Sequence, residues 1–109
     1  MADRELGIAI IAAPGDNAEG IARAIVGRRL AACAQVTGEV ASVYWWKGQV
    51  EEAKERLIIL KTEKSLVSSI RDELRSLHPY EVPELVFLPI TAGNPEYMTW
   101  LSETIFKNI

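Results

Sequence analysis

The sequence has little of what a disulfide framework, a nucleic-acid surface or a membrane span requires. It contains one cysteine and one histidine in 109 residues, so no disulfide can form within the chain. The net charge of -3 gives no general electrostatic reason to bind nucleic acid, because that affinity comes largely from Lys and Arg on phosphates. No apolar run approaches the ~20 residues of a membrane span. We therefore expect a cytoplasmic protein with neither nucleic acid nor membrane as a partner.

The composition that is present is ordinary for a globular domain. Apolar residues make up 49% of the chain and charged residues 25%, a balance that argues against disorder. A chain of 109 residues is near the commonest domain size and is long enough to fold on one core. We expect a single domain over residues 1–109.

The most informative stretch runs from Ala31 to Thr62 and centres on Val43–Gly48, in which Lys47 and Gly48 stand between two long β-type runs. A Gly at the second central position of a tight turn between two β-type runs predicts a hairpin. We expect an irregularity at Thr37-Gly38, where the first arm is interrupted. The register that follows from this turn pairs Trp46 with Gln49, Trp45 with Val50, Glu39 with Arg56, and Cys33 with Thr62.

The hairpin is too long for one small domain to cover. Each arm has about a dozen residues, roughly twice the usual strand length. Near the turn the second arm, at 51–56, is too charged for a core, whereas Tyr44, Trp45 and Trp46 lie on the first arm. Adjacent tryptophans on a strand point to opposite faces, so at least one ring needs a partner outside its own subunit. We predict that these three aromatic residues contact a neighbouring subunit.

The remaining patterns give the order βαββαβ followed by a C-terminal helix. Asp16 is predicted to cap the first helix and Thr62 the second, which must end at His78 because Pro79 follows. The last helix is predicted to start at Asn94-Pro95. With a hairpin between the middle strands, this order predicts an α+β, ferredoxin-like sandwich. Both long helices would cover one face of the sheet, leaving an apolar face for association.

Two groups of polar residues are candidates for chemistry. Cys33 lies diagonal to Lys61 in the predicted hairpin, and an ammonium beside a thiol is an arrangement typical of cysteine nucleophiles. The competing interpretation of Cys33 is a small buried apolar residue.

The second group stands in a loop held by two prolines: His78, Tyr80 and Glu81. Fixed φ angles at the prolines lower the entropy lost in holding these side chains, which suits a ligand site. The competing interpretations are a helix-capping role for His78 and plain solvation for Glu81.

A metal site within one chain is short of ligands. One His, one Cys and a carboxylate make three at best, without a paired spacing such as CxxC or HxxxH. Thiolate and imidazole ligands favour copper among the divalent ions. In a symmetric oligomer, copies of the same few ligands from several subunits can meet around a shared axis. This requires that those residues lie at the subunit interface.

Several stretches together resemble the CutA family of divalent-cation tolerance proteins. They are Ala31–Val36, Val43–Gly48, Leu60–Thr62 and Ser76–Glu84, with Asn94–Tyr97 and Trp100-Leu101 extending the match. The resemblance implies a stable homotrimer of ferredoxin-like subunits, similar in architecture to the trimeric PII signalling proteins. It also implies copper binding, the activity usually given for the family.

The resemblance also places the polar residues. It implies that Cys33, Lys61, Tyr80 and Glu81 surround a cleft between subunits, with His78 as the metal ligand. Some family members carry a Cys and a second His at positions that align here with Ile11 and Leu77. Without those two ligands, His78 is the main candidate.

Three functions are compatible with these residues. The first is a non-enzymatic, copper-responsive trimer that binds the metal through His78, with Cys33 or Glu81 as further ligands. The second is a PII-like module that senses a small anionic metabolite through Lys61 and the loop of Tyr80. The third is an enzyme with Cys33 as nucleophile and His78 as base, which ranks last because no oxyanion hole or orienting group is evident. We therefore expect no enzymatic activity.

Overall fold

The computed structural model describes residues 5–106, and its element order confirms the predicted α+β arrangement. Within those residues, no helix is both long enough and apolar enough to cross a bilayer. The elements are β1 (Leu6–Pro14), α1 (Gly15–Gly27), β2 (Cys33–Trp46), β3 (Gln49–Glu63), a 3-10 turn (Lys64–Leu66), α2 (Val67–Leu77), β4 (Val86–Pro89) and α3 (Pro95–Phe106).

The four strands form one antiparallel sheet in the order β2-β3-β1-β4. This is the strand order of a ferredoxin-like sandwich, as predicted. The short β4 lies at an edge, where Pro89 is tolerated because its missing N–H costs no ladder bond there. β2 forms the other edge, so β1 and β3 are the strands paired on both sides.

One face of the sheet carries α1 and α2 and holds the main core. Side chains from alternate positions of β1 and β3 meet the apolar stripes of both helices. Large, fully buried members of this core are Ile11, Ile21, Ile25, Ile58, Leu60, Ile70 and Leu74. The position of both helices on one face therefore agrees with the sequence prediction.

The opposite face of the sheet is apolar and only partly covered. Ile8 and Ile10 of β1 are half-buried there, and their partners on β4, Leu88 and Val86, are 49% and 47% exposed. Helix α3 forms a second small core with Ala32 near one end of the sheet. The remaining open area is the predicted association face.

The hairpin follows the predicted register only as far as its irregularity. Lys47 and Gly48 have φ angles of 51° and 83°, and positive φ at both central residues is typical of a type I′ turn. The pairs near the turn and the Glu39–Arg56 pair are as predicted. Beyond them, a bulge between Val36 and Glu39 shifts the register by one residue.

The predicted pairing of Cys33 with Thr62 is therefore wrong. Cys33 pairs directly with Lys61, because the bulge adds one residue to β2. The Thr37 hydroxyl fixes the bulge by accepting a hydrogen bond from the Leu57 N–H at 2.9 Å. A shift of one residue moves side chains to the other face, so Cys33 and Lys61 share the open face.

Two predicted helix caps are also wrong. Helix α1 has Pro14 at its N-cap, and Asp16 lies in its first turn without a capping hydrogen bond. Thr62 belongs to β3, where it pairs with Gly7 and donates to the Leu30 carbonyl at 2.6 Å. Strand pairing therefore outweighs the local capping signal at Thr62.

Two other boundaries are confirmed. Helix α2 ends at Leu77, and His78 is extended with ψ at 135°, as a residue before proline requires. The Asn94 side chain accepts a hydrogen bond from the Glu96 N–H at 3.1 Å, at the start of α3.

Candidate functional site

His78 fastens the loop after α2 to the central strand. Its ring is buried, with 6% of the residue exposed. Nδ1 accepts a hydrogen bond from the Tyr80 N–H at 3.1 Å, so Nε2 carries the proton and donates to the Ala12 carbonyl at 2.8 Å. A metal ion can reach this imidazole only if one of the two hydrogen bonds breaks. The metal-ligand role of His78 therefore stays a prediction.

Tyr80 connects the same loop to β3. Its hydroxyl donates to Glu55 Oε2 at 2.8 Å, and its ring centroid lies 4.7 Å from that of His78. Burial raises the pKa of Tyr80 to about 12, helped by the hydrogen bond to Glu55 and by the charge of that carboxylate. Glu55 is itself only 5% exposed. The loop thus holds a buried carboxylate in place.

A cleft of about 540 Å³ lies between this loop and the hairpin. We call it the acidic cleft and define it by Tyr44, Trp46, Glu55, Tyr80, Glu81 and Glu84. Three of these residues are carboxylates, and no Lys, Arg or His is among the residues that line it. The electrostatic potential of such a lining favours a cation over an anion.

Cys33 and Lys61 form a separate polar group near the other end of β1. The Lys61 ammonium donates to Gln35 Oε1 at 2.8 Å, and Cys33 Sγ lies 3.6 Å from the Tyr97 hydroxyl. The interaction with Cys33 is the main cause that raises the pKa of Tyr97, with burial adding to it. Neither Cys33 nor Lys61 lines the acidic cleft.

The structure therefore brings the predicted site residues together in two groups rather than one. Lys61 pairs with Ile8 on β1, whereas His78 bonds to Ala12 on the same strand. Four residues of strand separate these attachment points by about 13 Å. Tyr80 and Glu81 belong to the group at His78.

The sequence prediction missed Glu55 and Glu84. Glu55 was included in a segment judged too charged for a core, yet it is among the buried residues. Alternation along β3 was the signal that could have found it, because Glu55 shares the open face with Leu57 and Ile59. Glu84 directly follows the Pro79–Pro83 loop, and it would have been included in the predicted site if the loop had been extended by one residue.

The hairpin aromatics separate onto two faces, as predicted for neighbours on a strand. Tyr44 and Trp46 line the acidic cleft. Trp45 pairs with Val50 on the opposite face and is 74% exposed. The contact of all three with a neighbouring subunit stays a prediction.

Removing the Tyr80 hydroxyl should change the response to alkaline pH. The phenol pKa rises from 10.0 to about 12 on folding, so its contribution to stability is present below pH 10.0 and is lost as the pH rises towards 12. We expect the free energy of unfolding to fall over this range more steeply in wild type than in Tyr80→Phe. Urea denaturation at several pH values measures both slopes, and equal slopes would contradict the assignment.

The donor set of a single chain fits a metal ion only in part. Within residues 5–106, no three His, Cys, Asp or Glu side chains converge closely enough to hold one. The carboxylates of the acidic cleft are ligands that divalent ions accept. One chain therefore offers part of a coordination sphere, which waters or a second subunit would complete.

Comparison with known proteins gives one consistent family. The sequence model described as CutA1 divalent ion tolerance protein matches residues 8–104. A CutA homolog from Xenopus laevis is 45% identical over 92% of this chain and 67% of its own length. The divalent-cation tolerance protein CutA of Thermus thermophilus is 41% identical over 88% of this chain and 94% of its own. The chain spans only 54% of the mouse and human CutA proteins, at 44% identity over 87% of this chain.

Solved structures agree with this comparison. The divalent cation tolerance protein from Thermus thermophilus superposes with a TM-score of 0.87 at 40% identity, covering 91% of this chain and 97% of the other. CutA1 from Oryza sativa gives a TM-score of 0.87 at 33% identity, covering 93% and 94%. A CutA structure from Archaeoglobus fulgidus, described as periplasmic, gives 0.86 at 34% identity over 92% and 98%.

Proposed function

The chain belongs to the CutA1 divalent ion tolerance family, and from this premise we propose that it is a homotrimer that binds a divalent cation in the acidic cleft. The family membership that the motif stretches predicted is thereby confirmed. The Thermus thermophilus relative is named as a tolerance protein rather than as an enzyme. We propose the same non-enzymatic role for this chain, since Cys33 and His78 lie in different groups.

Two features support the trimer. The sheet has an open apolar face, and contiguous apolar surface on a small domain commonly marks an association site. At the end of the hairpin, Trp45 and Val50 are exposed on the other face of the ribbon, away from the acidic cleft. Each subunit of a trimer has two neighbours, and contacts with both would bury the two surfaces. We propose that Tyr44, Trp45 and Trp46 take part in this contact.

The observation that carries the cation proposal is the lining of the acidic cleft. Glu55, Glu81 and Glu84 surround a space without an opposing positive side chain among its lining residues. Glu55 is held by Tyr80, so one carboxylate is already positioned for a ligand. A cleft at a subunit contact would let a second chain supply the missing ligands.

Copper(II) is the first ion to test. The Irving–Williams order ranks it highest for a given site of nitrogen or oxygen ligands. His78 lies next to the cleft through its contact with Tyr80, and it becomes a ligand if its Nδ1 releases the Tyr80 N–H. A site that uses only the carboxylates would discriminate less between divalent ions.

A small anionic metabolite is the second candidate, and Lys61 is the observation that favours it. The structure gives its ammonium the neutral amide oxygen of Gln35 as a hydrogen-bond acceptor. An anion on the open face near Lys61 and Cys33 would add charge pairing. Loss of inorganic phosphate binding in Lys61→Ala, with copper binding unchanged, would favour this alternative.

Calorimetric titration with copper(II) tests the cation site. Wild type should bind the ion, and Glu81→Gln combined with Glu84→Gln should reduce the affinity by about tenfold or more, because two charged ligands become neutral. The matched control is Glu96→Gln, an exposed carboxylate on α3 outside the cleft. Equal affinity in wild type and the double variant would place the ion elsewhere.

A further inference from the structure

We propose that the acidic cleft also takes an organic cation, a small molecule that carries ammonium or guanidinium groups. The inference rests on the proposed function only for the cation preference of this cleft. It assigns a ligand class that the divalent-ion proposal does not include. Three features carry it: the size of the cleft, its aromatic walls and an ammonium that already lies over one of them.

The cleft is large for a bare metal ion. Its volume of about 540 Å³ falls within the range of roughly 300–1,000 Å³ that is usual for small-molecule pockets. Among residues 5–106 no three metal-ligating side chains converge, so the carboxylates are spread around the space. Spread carboxylates suit a ligand with a body and one or more charged ends. The unfilled volume then becomes a place for that body.

Aromatic rings form the other part of the lining. Tyr44 and Trp46 come from the hairpin, and Tyr80 comes from the loop. The negative face of an aromatic ring attracts an ammonium or guanidinium group within about 6 Å, and Trp is the strongest of the three ring types. Carboxylates combined with aromatic faces are a general means of recognising organic cations. A divalent metal ion is bound by oxygen and nitrogen ligands and not by the aromatic rings.

Lys47, which does not itself line the cleft, shows that an ammonium can lie over the Trp46 ring. Its Nζ lies 5.6 Å from the centroid of the Trp46 ring, within cation–π range. The chain therefore already places an organic cation against a residue of the cleft. Lys47→Asn removes that ammonium and keeps the turn, since Asn-Gly is the preferred type I′ sequence. If the Lys47 ammonium and the ammonium of a bound ligand compete for the Trp46 ring, this variant should bind a free amine with higher affinity than wild type does.

Glu55 gives the cleft a fixed negative charge. It is buried on β3, and the Tyr80 hydroxyl uses one of the roughly four acceptor sites of its carboxylate. Glu81 and Glu84 are exposed, so they meet solvent at the same cleft. A ligand with two ammonium groups can pair with the buried carboxylate and with one of the exposed carboxylates at the same time.

The test is calorimetric titration with 1,4-diaminobutane, and 1,4-butanediol serves as the uncharged control of the same length. Wild type should bind the diamine and not the diol. Trp46→Leu should weaken diamine binding about fivefold through the lost cation–π contact. Trp45→Leu, the same substitution on the opposite face of the strand, should leave it unchanged. A single substitution by Leu keeps an apolar side chain at the proposed subunit contact, unlike the double replacement by Ser, so light scattering on both variants should give the mass of wild type. Glu84→Gln provides a second variant that spares the hairpin.

Copper(II) titration of the same proteins separates this inference from the proposed function. Trp46→Leu should lower the affinity for the diamine more than the affinity for copper, because the indole is not a ligand of the ion. Copper binding without any binding of the diamine would overturn the organic-cation site and leave the metal proposal standing. Diamine binding without copper binding would do the reverse. Equal binding of diamine and diol, or diamine binding unchanged in both Trp46→Leu and Glu84→Gln, would also overturn the inference.

Discussion

Replacing Trp45 and Trp46 together with Ser should convert the proposed trimer into monomers or aggregates. Trp45 is 74% exposed in the single chain and lies next to the turn of the hairpin, where its own subunit leaves most of the ring uncovered. Buried aromatic residues dominate the energetics of subunit contacts, and truncating one commonly costs ~2 kcal/mol or more. Losing two rings from each subunit multiplies this cost. Multi-angle light scattering measures the mass directly.

A matched control separates interface loss from the general effect of removing tryptophan. Trp100 on α3 is also exposed, at 44%, and contacts Tyr97 at 5.4 Å between ring centroids. Trp100→Ser should remain a trimer if the hairpin makes the principal contact. A stable trimer in the double hairpin variant would contradict the proposed assembly, whereas dissociation of both variants would extend the interface to α3.

His78→Ala should destabilise the protein by ~3 kcal/mol. The substitution removes two hydrogen bonds, leaves the Ala12 carbonyl and the Tyr80 N–H without their ring partners, and opens a cavity beneath the loop. Urea denaturation measures the change. Because the loop carries Glu81 and Glu84 to the cleft, copper binding should weaken as well, whether or not the imidazole touches the ion.

A second variant distinguishes the two roles of His78. His78→Gln keeps a side-chain donor for the Ala12 carbonyl and should recover part of the stability. If His78 only positions the loop, copper affinity should recover with stability. If His78 is a ligand, the affinity should stay low while stability returns. A loss of less than about 0.5 kcal/mol in His78→Ala would contradict the structural role.

Local patterns were sufficient to predict most of the fold. Period-two and helical spacings gave the element order, and the Lys47-Gly48 turn set the register near the tip of the hairpin. The bulge at Thr37-Gly38 was predictable as an irregularity, but its effect on the pairing of Cys33 was not. The size of a register shift depends on which ladder hydrogen bonds form on either side of the bulge. Here the Thr37 hydroxyl accepts the Leu57 N–H, a tertiary contact that the local sequence does not reveal.

The candidate site was less accessible from the sequence. The loop of His78 and Tyr80 stood out because prolines flank it, but its partners come from distant parts of the chain. Tyr80 meets Glu55 across 25 positions, and His78 meets Ala12 across 66. Such contacts follow from the order of strands in the sheet. The charged composition of segment 51–56 argued against a buried residue there, whereas Glu55 is buried and accepts a hydrogen bond from Tyr80.

Native mass spectrometry in the presence of copper(II) tests the central claim most directly, because it reports assembly and ion binding in one spectrum. The account predicts a species of three times the 12.1 kDa chain mass that retains copper ions. The same species from the Glu81→Gln and Glu84→Gln double variant should remain trimeric and lose the ions. A wild-type protein that binds copper as a monomer would contradict the account. A trimer that retains as much copper in the double variant as in wild type would also contradict it.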